Sequence, residues 1–506
     1  MESCWLEHLL NQPFCLLFLL CISLIVLQAV KLYQRRRKLL RDLNLFPAPP
    51  GHWFYGHKKF YPEKEFELYN ETVEKYPCAV PIWIGPFMMF FYVYDPDYIK
   101  ALLNRKDSKD TINLKILTSW LGRGLVSLEG STWSYHRQMV KPGFHGSILK
   151  IYVTIMSESV RVMLNKWEKL ITQDPHLELW EDISLMALDC IMKCAFSQQG
   201  SVQTDSTFKS YLEAVTNLGN LTYYRLYNVL HYNDLIYKFS SQAHLFYKYR
   251  EVTHQHIEKV IQDRKDLYNN ELKQGTTQKK RHQDFLDILL SARAENGKDF
   301  SEADLLAEVN MFLVAGYETT ASAISWIFYC MAKYPEHQQR CREELRGILG
   351  DGDAITWEHL SQMSYTTMCI KECLRLYSPA VFISRLLSEP ITFPDGRSLP
   401  AGVTVLLNIW ALHHNPAIWE DPQVFNPLRF SKENRYKRHT YAFIPFSAGS
   451  RNCIGQQFAM MECKIALALM LLHFELVIDP SKLPQPMRRV VLKSQNGMHL
   501  ILKKLH

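Results

Sequence analysis

The chain has 506 residues, 47% of them hydrophobic, with a formal net charge of +7. That is enough apolar material for a sizeable core and more chain than one simple core usually takes. No Gly/Ser-rich or Pro-rich linker divides the middle, so the composition excludes two tethered globular domains and leaves a small anchor, residues 1–46, followed by one large catalytic domain, residues 47–506.

Phe14 to Val30 is an uncharged run of 17 residues. A spanning helix needs about 20 residues, with roughly 17 as the lower bound, so a transmembrane helix is expected over about residues 14–31. Glu2 and Glu7 precede the run, and Lys31, Arg35, Arg36, Arg37, Lys38 and Arg41 follow it. Positive residues stay on the cytoplasmic side, which puts the N-terminus in the lumen and the rest of the chain in the cytosol. A cleaved signal peptide would carry its basic residues before the run and a small-x-small site after it, the reverse of what is found. FPAPPG, Phe46 to Gly51, reads as a stiff spacer.

Ala79 to Val93 reads as two short strands about Gly85-Pro86. Gly122-Arg123-Gly124 is only a fragment of a dinucleotide fingerprint and reads as a plain loop. Helical patterns dominate from about Ser147 to Tyr334, with a polar surface loop expected over Lys265 to Gln283. Leu221 to Arg250 is rich in tyrosine and phenylalanine, which suits a substrate entrance facing lipid as well as it suits core packing. Ser301 and Asp304 form a capping-box pair opening a long apolar helix that ends before Pro335. Another helix covers Tyr365 to Leu376, after which strand signals return, with a Pro-Asp-Gly turn at Pro394 to Gly396 and an Asn-Gly hairpin turn at Asn496-Gly497. The whole reads as mainly α with a minor β region.

Twelve cysteines occur without a C-x-x-C pair. Cys190/Cys194 and Cys369/Cys373 have no histidine at metal-site spacing and read as small buried hydrophobes. A cytosolic domain is reducing, so neither disulfides nor glycans on the sequons at Asn70 and Asn220 are expected. Basic residues lie scattered without an aromatic-basic stripe, and no G-x-x-x-x-G-K-[ST] occurs, which argues against a nucleic-acid partner and a phosphate loop.

Cys453 differs from the other cysteines. It lies in FSAGSRNCIG, Phe446 to Gly455, just before an apolar helical stripe at Phe458, Met461, Ile465, Leu469 and Leu472. Free N–H groups and the dipole at a helix start favour negative charge. Gly449 and Gly455 would let the backbone turn and a flat group approach, and Arg451 adds a cation. The set suits a metal-bound thiolate under a planar anionic macrocycle. No histidine lies near in sequence to make Cys453 a catalytic nucleophile, and the glycines and Arg451 speak against a purely structural thiol.

FSAGSRNCIG resembles the haem-binding loop of the cytochromes P-450, the haem-thiolate monooxygenases, at Phe446, Gly449, Arg451, Cys453 and Gly455. Glu372-Cys373-Leu374-Arg375 resembles the family's E-x-x-R, and Phe425 to Phe430 resembles the segment completing its triad through Arg429. The resemblance spans essentially the whole chain and implies the cytochrome P-450 fold behind a membrane anchor. It also implies haem b on Cys453, and a triad serving folding rather than chemistry. Trp133 and Arg137 resemble the W-x-x-x-R whose side chains reach a haem propionate, and Arg385 sits where the family often places another propionate partner. In Ala315 to Ser322, Gly316 would leave a groove beside the haem. Thr319 would donate toward dioxygen and Glu318 would relay protons, against a bland alternative of threonine hydroxyls bonded back to helix carbonyls.

The resemblance is closest to family 4, the fatty-acid hydroxylases, in LFPAPPGHWFYGH and the C-terminal half. Many members have a glutamate at the position of Ala315 that esterifies a haem methyl. Its absence here implies noncovalent haem and relaxed terminal selectivity, with in-chain hydroxylation or epoxidation. No flavin or nicotinamide motif is present. The implied electron source is NADPH-cytochrome P-450 reductase, with cytochrome b5 as an accessory, docking on a basic face at Arg429, Lys432, Arg435, Lys437 and Arg438. The expected location is the endoplasmic reticulum membrane. Two other readings stand beside this one: a haem-thiolate isomerase or dehydratase of lipid peroxides, and a non-catalytic haem sensor or carrier.

Overall fold

In this computed structural model the residues described are 3–57, 64–86, 88–109, 111–198, 200–273, 284–295 and 300–505, without the side chains of 3–15, 111–113, 229, 268–273 and 295. The first helix, Ser3–Asp42, carries the apolar run. It does not stop at the basic cluster, because Arg35 to Leu40 are all good helix formers. Leu16–Asp42 is long and apolar enough to cross a membrane, and its most apolar window is unburied by the rest of the chain. Packing against the domain begins within the expected anchor. Leu43 and Phe46 are buried, and the Phe46 ring meets Phe91 edge-on at 4.7 Å. The proline-rich segment is therefore docked at its start rather than free.

The centre of the molecule is the helix Glu302–Lys333, apolar nearly all round. A helix of that kind has to be buried. Ser301 caps it, with the Asp304 side chain returning the bond, as the sequence predicts. Against it pack Trp180–Phe196, itself almost wholly buried, and Gln456–His473, the helix that follows Cys453. The helix Ser241–Lys273 runs well into the stretch expected as a surface loop, and residues 274–283 of that stretch lie outside the described residues.

Strands β1 (Ala79–Ile84) and β2 (Met88–Val93) form the expected hairpin. A short strand, β3 (His176–Glu178), follows. Further on come β4 (Phe382–Leu386), β5 (Ile391–Thr392), β6 (Ser398–Leu399) and β7 (Thr404–Asn408). The main sheet has the order β1-β2-β7-β4, with β2 and β7 parallel. Near the C-terminus lie β8 (Phe474–Ile478), β9 (Pro486–Arg488), β10 (Leu492–Ser494) and β11 (His499–Lys504). The expected Asn496-Gly497 hairpin does not form. β10 pairs with β9, while β11 lies between β3 and β8. Gly497 does adopt φ +84°, so the turn is real. Leu179 and Glu178 capture Met498 and carry the chain to another sheet.

Candidate active site: a thiol, a cationic cluster and an open helix face

The Cys453 loop is shaped by its backbone. Gly449 has φ +74°, and a Cβ there would stand 2.5 Å from the Leu103 carbonyl oxygen, so only glycine fits. Ser447 is held at φ 60°, and the Cys453 N–H donates to the Phe446 carbonyl at 2.9 Å, closing the loop. Gly455 is different: its φ is −85°, and a Cβ there would meet only ordinary contacts with Phe144 and the Cys453 sulfur. The protein itself therefore does not require glycine at 455. Cys453 is accessible, and its sulfur lies beside the Gly455 amide at the start of the helix. Burial pushes the thiol up; the Gly455 N–H, Arg137 and Lys109 favour the thiolate.

Cations from separated parts of the chain meet beside it. Arg137, on the helix Gly130–Val140, donates to the Asn452 carbonyl at 3.0 Å and to its side-chain oxygen at 2.8 Å, bracing the residue before the cysteine. Arg451 donates to the Leu128 carbonyl at 2.7 Å and lies 4.4 Å over the Trp133 ring. Arg385 is buried on β4, and its guanidinium donates to the Ser384 carbonyl. Lys109 reaches the group because Ser108 bridges to Leu386, adding the loop to the edge of β4. Burial, then Arg385, Arg451 and Arg137, push the Lys109 amine down to about 7. Arg385 falls to about 10 through burial and Arg451. Among the described residues none of these four cations forms an ion pair. The family resemblance pointed to the three arginines; Lys109, whose loop carries no motif, was missed.

Such a cluster is costly unless an anion faces it. Among the described residues no group of three or more His, Cys, Asp or Glu is placed to hold a metal. The donor set is one thiol beside several cations without ion pairs among the described residues, which fits a metal carried in a planar macrocycle with anionic arms.

Ala315 is exposed and Thr319 partly so, on one face of the central helix. The Thr319 hydroxyl donates to the Ala315 carbonyl at 2.8 Å, and Thr320 bonds Gly316 in the same way. The back-bonded state is thus the one seen. Gly316 has a different reason from the one expected: a Cβ there would lie 2.9 Å from Ile191 Cγ1, so the glycine lets Trp180–Phe196 approach. Glu318 is not brought to Thr319's side. It is buried and ion-paired to Lys493 of β10 at 2.9 Å. Glu462 is a further carboxyl that the sequence reading missed. It lies beside Thr320 and Cys190, and burial pushes it up to about 8.

Glu372 and Arg375, on the helix Ser364–Leu376, meet Arg429 as one charged group. Glu372 and Arg375 are fully buried and joined by bonds of 2.7 and 2.8 Å, with Arg429 at 3.4 Å from Glu372. Arg375 also binds the carbonyls of His413, Pro422 and Val424, tying the helix Ser364–Leu376 to the loop below. The basic surface is smaller than expected. Arg438 turns inward over Phe430 and Trp419, leaving Lys432, Arg435 and Lys437 exposed around Tyr436.

A cavity of about 240 Å³ is lined by Phe382 and Ser384 of β4, the latter next to Arg385 in sequence, by Leu406 of β7, and by Leu114, Leu117, Thr222, Tyr223, Leu226 and Tyr227. Of the aromatic-rich segment, Tyr223, Tyr237 and Phe246 are core or cavity residues, whereas Tyr224, Phe239 and Tyr247 face outward.

A thiol at a helix start with cations gathered beside it fits a haem-thiolate centre. The cytochrome P450 family model matches residues 47–501. The chain belongs to the cytochrome P450 family of haem-thiolate monooxygenases, and its cofactor is haem with thiolate-ligated iron. It is 67% identical over 505 residues to human cytochrome P450 4Z1, covering all of both chains. It is 53% identical to human cytochrome P450 4X1, covering 100% of this chain and 99% of that one. With rabbit (Oryctolagus cuniculus) cytochrome P450 4A7 it shares 52% over 490 residues, 96% of each. The crystal structure of the cytochrome P450DA heme domain superposes with a TM-score of 0.78 over 91% of this chain and 98% of that one. At 22% identity that likeness concerns the fold alone.

Proposed function

We propose that the protein is a membrane-anchored monooxygenase that inserts one oxygen atom into fatty acids, at terminal and in-chain carbons. The observation that carries the reading is the meeting of Cys453 with Arg137 and Lys109, and of Lys109 in turn with Arg385 and Arg451. Haem bound on Cys453 supplies the dioxygen chemistry. Arg137, Arg385, Arg451 and Lys109 hold its carboxylate arms, and Trp133 fixes the Arg451 guanidinium. Phe446, Gly449 and Asn452 set the height of the thiolate. Ala315 offers no carboxylate for an ester link, so the haem is held without a covalent bond apart from the thiolate. Thr319 presents its hydroxyl by exchanging the Ala315 carbonyl for a ligand on the open face. Glu318 brings protons by exchanging Lys493 for water. The triad of Glu372, Arg375 and Arg429 keeps the loop below in place.

The fatty-acid part rests on similarity to family 4 members and on the mainly apolar cavity. Electrons come from NADPH-cytochrome P-450 reductase, with cytochrome b5 as an accessory partner, and the location is the endoplasmic reticulum membrane. Incubation with reductase, NADPH and a medium-chain fatty acid, followed by mass spectrometry, is expected to give both terminal and in-chain products. Absence of any oxygenated acid would remove the substrate assignment, and purely terminal alcohol would remove the relaxed selectivity. Acid-acetone extraction is expected to release the haem; haem left on the polypeptide would contradict the noncovalent reading.

A further inference from the structure

Gly122-Arg123-Gly124 reads as a plain loop in the sequence, yet it lies tight against the central helix. A Cβ at Gly122, which has φ +79°, would stand 2.7 Å from the Ala307 Cβ. One at Gly124 would stand 3.0 Å from the Ala307 carbonyl oxygen and 3.2 Å from Glu308 Oε2. The close approach serves a hydrogen bond. The Leu125 N–H donates to Glu308 Oε2 at 3.1 Å. The other carboxylate oxygen, Oε1, meets His136 Nδ1 at 2.6 Å. Glu308 and His136 are both buried, and the Phe300 ring closes over the imidazole edge-on at 5.3 Å.

Each partner of Glu308 leads to the cation cluster. Beyond Leu125 the loop turns, with the Leu128 N–H donating to the Gly124 carbonyl at 3.0 Å. The Leu128 carbonyl then accepts from Arg451 at 2.7 Å. His136 lies on the helix Gly130–Val140, which also carries Trp133, under the Arg451 guanidinium, and Arg137, which holds Asn452. One carboxylate of the central helix therefore fixes both the carbonyl that receives Arg451 and the ring beneath it. Glu308 stands about two turns before Ala315, on the same side of the helix. Bonds to a buried carboxylate are strong, and a buried N–H left without its acceptor is costly. We infer that Glu308 is a positioning residue for Arg451. Through the Gly122–Leu128 loop and His136 it sets where the guanidinium stands, and so how firmly a carboxylate arm of the haem is held. The inference rests on Arg451 holding such an arm and is independent of the substrate.

The test is the rate at which the ferric holoenzyme gives up haem to an excess of apomyoglobin, followed in the visible spectrum. Glu308→Ala is expected to speed haem loss about 10- to 100-fold. Glu308→Gln can still accept from Leu125 and meet His136, and is expected to stay within about threefold of wild type. Gly124→Ala keeps every polar group and only crowds the loop off the helix; it is expected to speed the loss about three- to tenfold. In an Arg451→Gln background, Glu308→Ala is expected to add less than about twofold, because the guanidinium it positions is gone. A thiolate-type ferrous carbonyl spectrum establishes that each variant is folded. If Glu308→Ala does not fold, Gly124→Ala decides in the same two backgrounds. Haem loss unchanged in Glu308→Ala, or raised by the same factor in both backgrounds, would overturn the positioning role and leave Arg451's own role standing. Haem loss unchanged in Arg451→Gln alone would remove both.

Discussion

Glu462 sits nine residues beyond the thiolate on the same stretch of chain, buried behind Thr320. Its carboxyl is held up to about 8, chiefly by burial, against an ordinary value of 4.5. Between those values the folded protein keeps a proton that the unfolded chain has lost, so stability falls as pH rises through that window and levels off above it. Glu462→Gln removes the titration. The stability of the variant relative to wild type is expected to grow by up to about 1.4 kcal/mol per pH unit from about pH 4.5 to 8. Denaturant unfolding of both proteins across that range measures it, and a constant difference would contradict a protonated Glu462. Nothing in the sequence marks this residue, because its environment is built by the central helix and by Cys190. Cys453 and Arg451 stand in one short motif, the Glu372–Arg375 pair has helical spacing, and Arg137 and Arg385 were named only through the family resemblance. Lys109 was not legible, because it joins the cluster only through the Ser108–Leu386 bridge.

Helix boundaries were readable where chemistry sits at the ends, as at Ser301 and Asp304. The pairing of short strands was not: Asn496-Gly497 makes its turn, yet β10 and β11 go to different sheets because β9, β8 and β3 are better placed partners. The reason for Gly316 also lies between elements. Alanine in its place gains about 1 kcal/mol of helix propensity. Crowding Ile191 is expected to cost about 1–3 kcal/mol. Gly316→Ala is therefore expected to be neutral to destabilising by about 2 kcal/mol. Combined with Ile191→Ala, the two changes should cost less than their sum. Thermal unfolding of the single and double variants measures the coupling. A stabilised Gly316→Ala protein would show that the two helices have room to spare.

At the scale of the molecule, the anchor helix and the domain are continuous, since Leu43 and Phe46 are already core residues. On the surface around the triad, Lys432, Arg435 and Lys437 surround the exposed Tyr436, whereas Arg429 and Arg438 serve the interior. The sequence could locate this basic segment but not sort its outer charges from its inner ones. Reversing Arg435 and Lys437 to glutamate is expected to slow reductase-driven turnover about tenfold at low salt and to leave peroxide-driven turnover unchanged. Equal loss in both assays would contradict a docking role. The most direct test of the whole account is mass spectrometry of the product formed from a medium-chain fatty acid under isotopically heavy dioxygen, with reductase and NADPH. One heavy oxygen atom per hydroxylated or epoxidised acid, lost in Cys453→Ser, is the predicted result. An oxygenated product without the heavy atom, or one formed equally by Cys453→Ser, would contradict a thiolate-dependent monooxygenase.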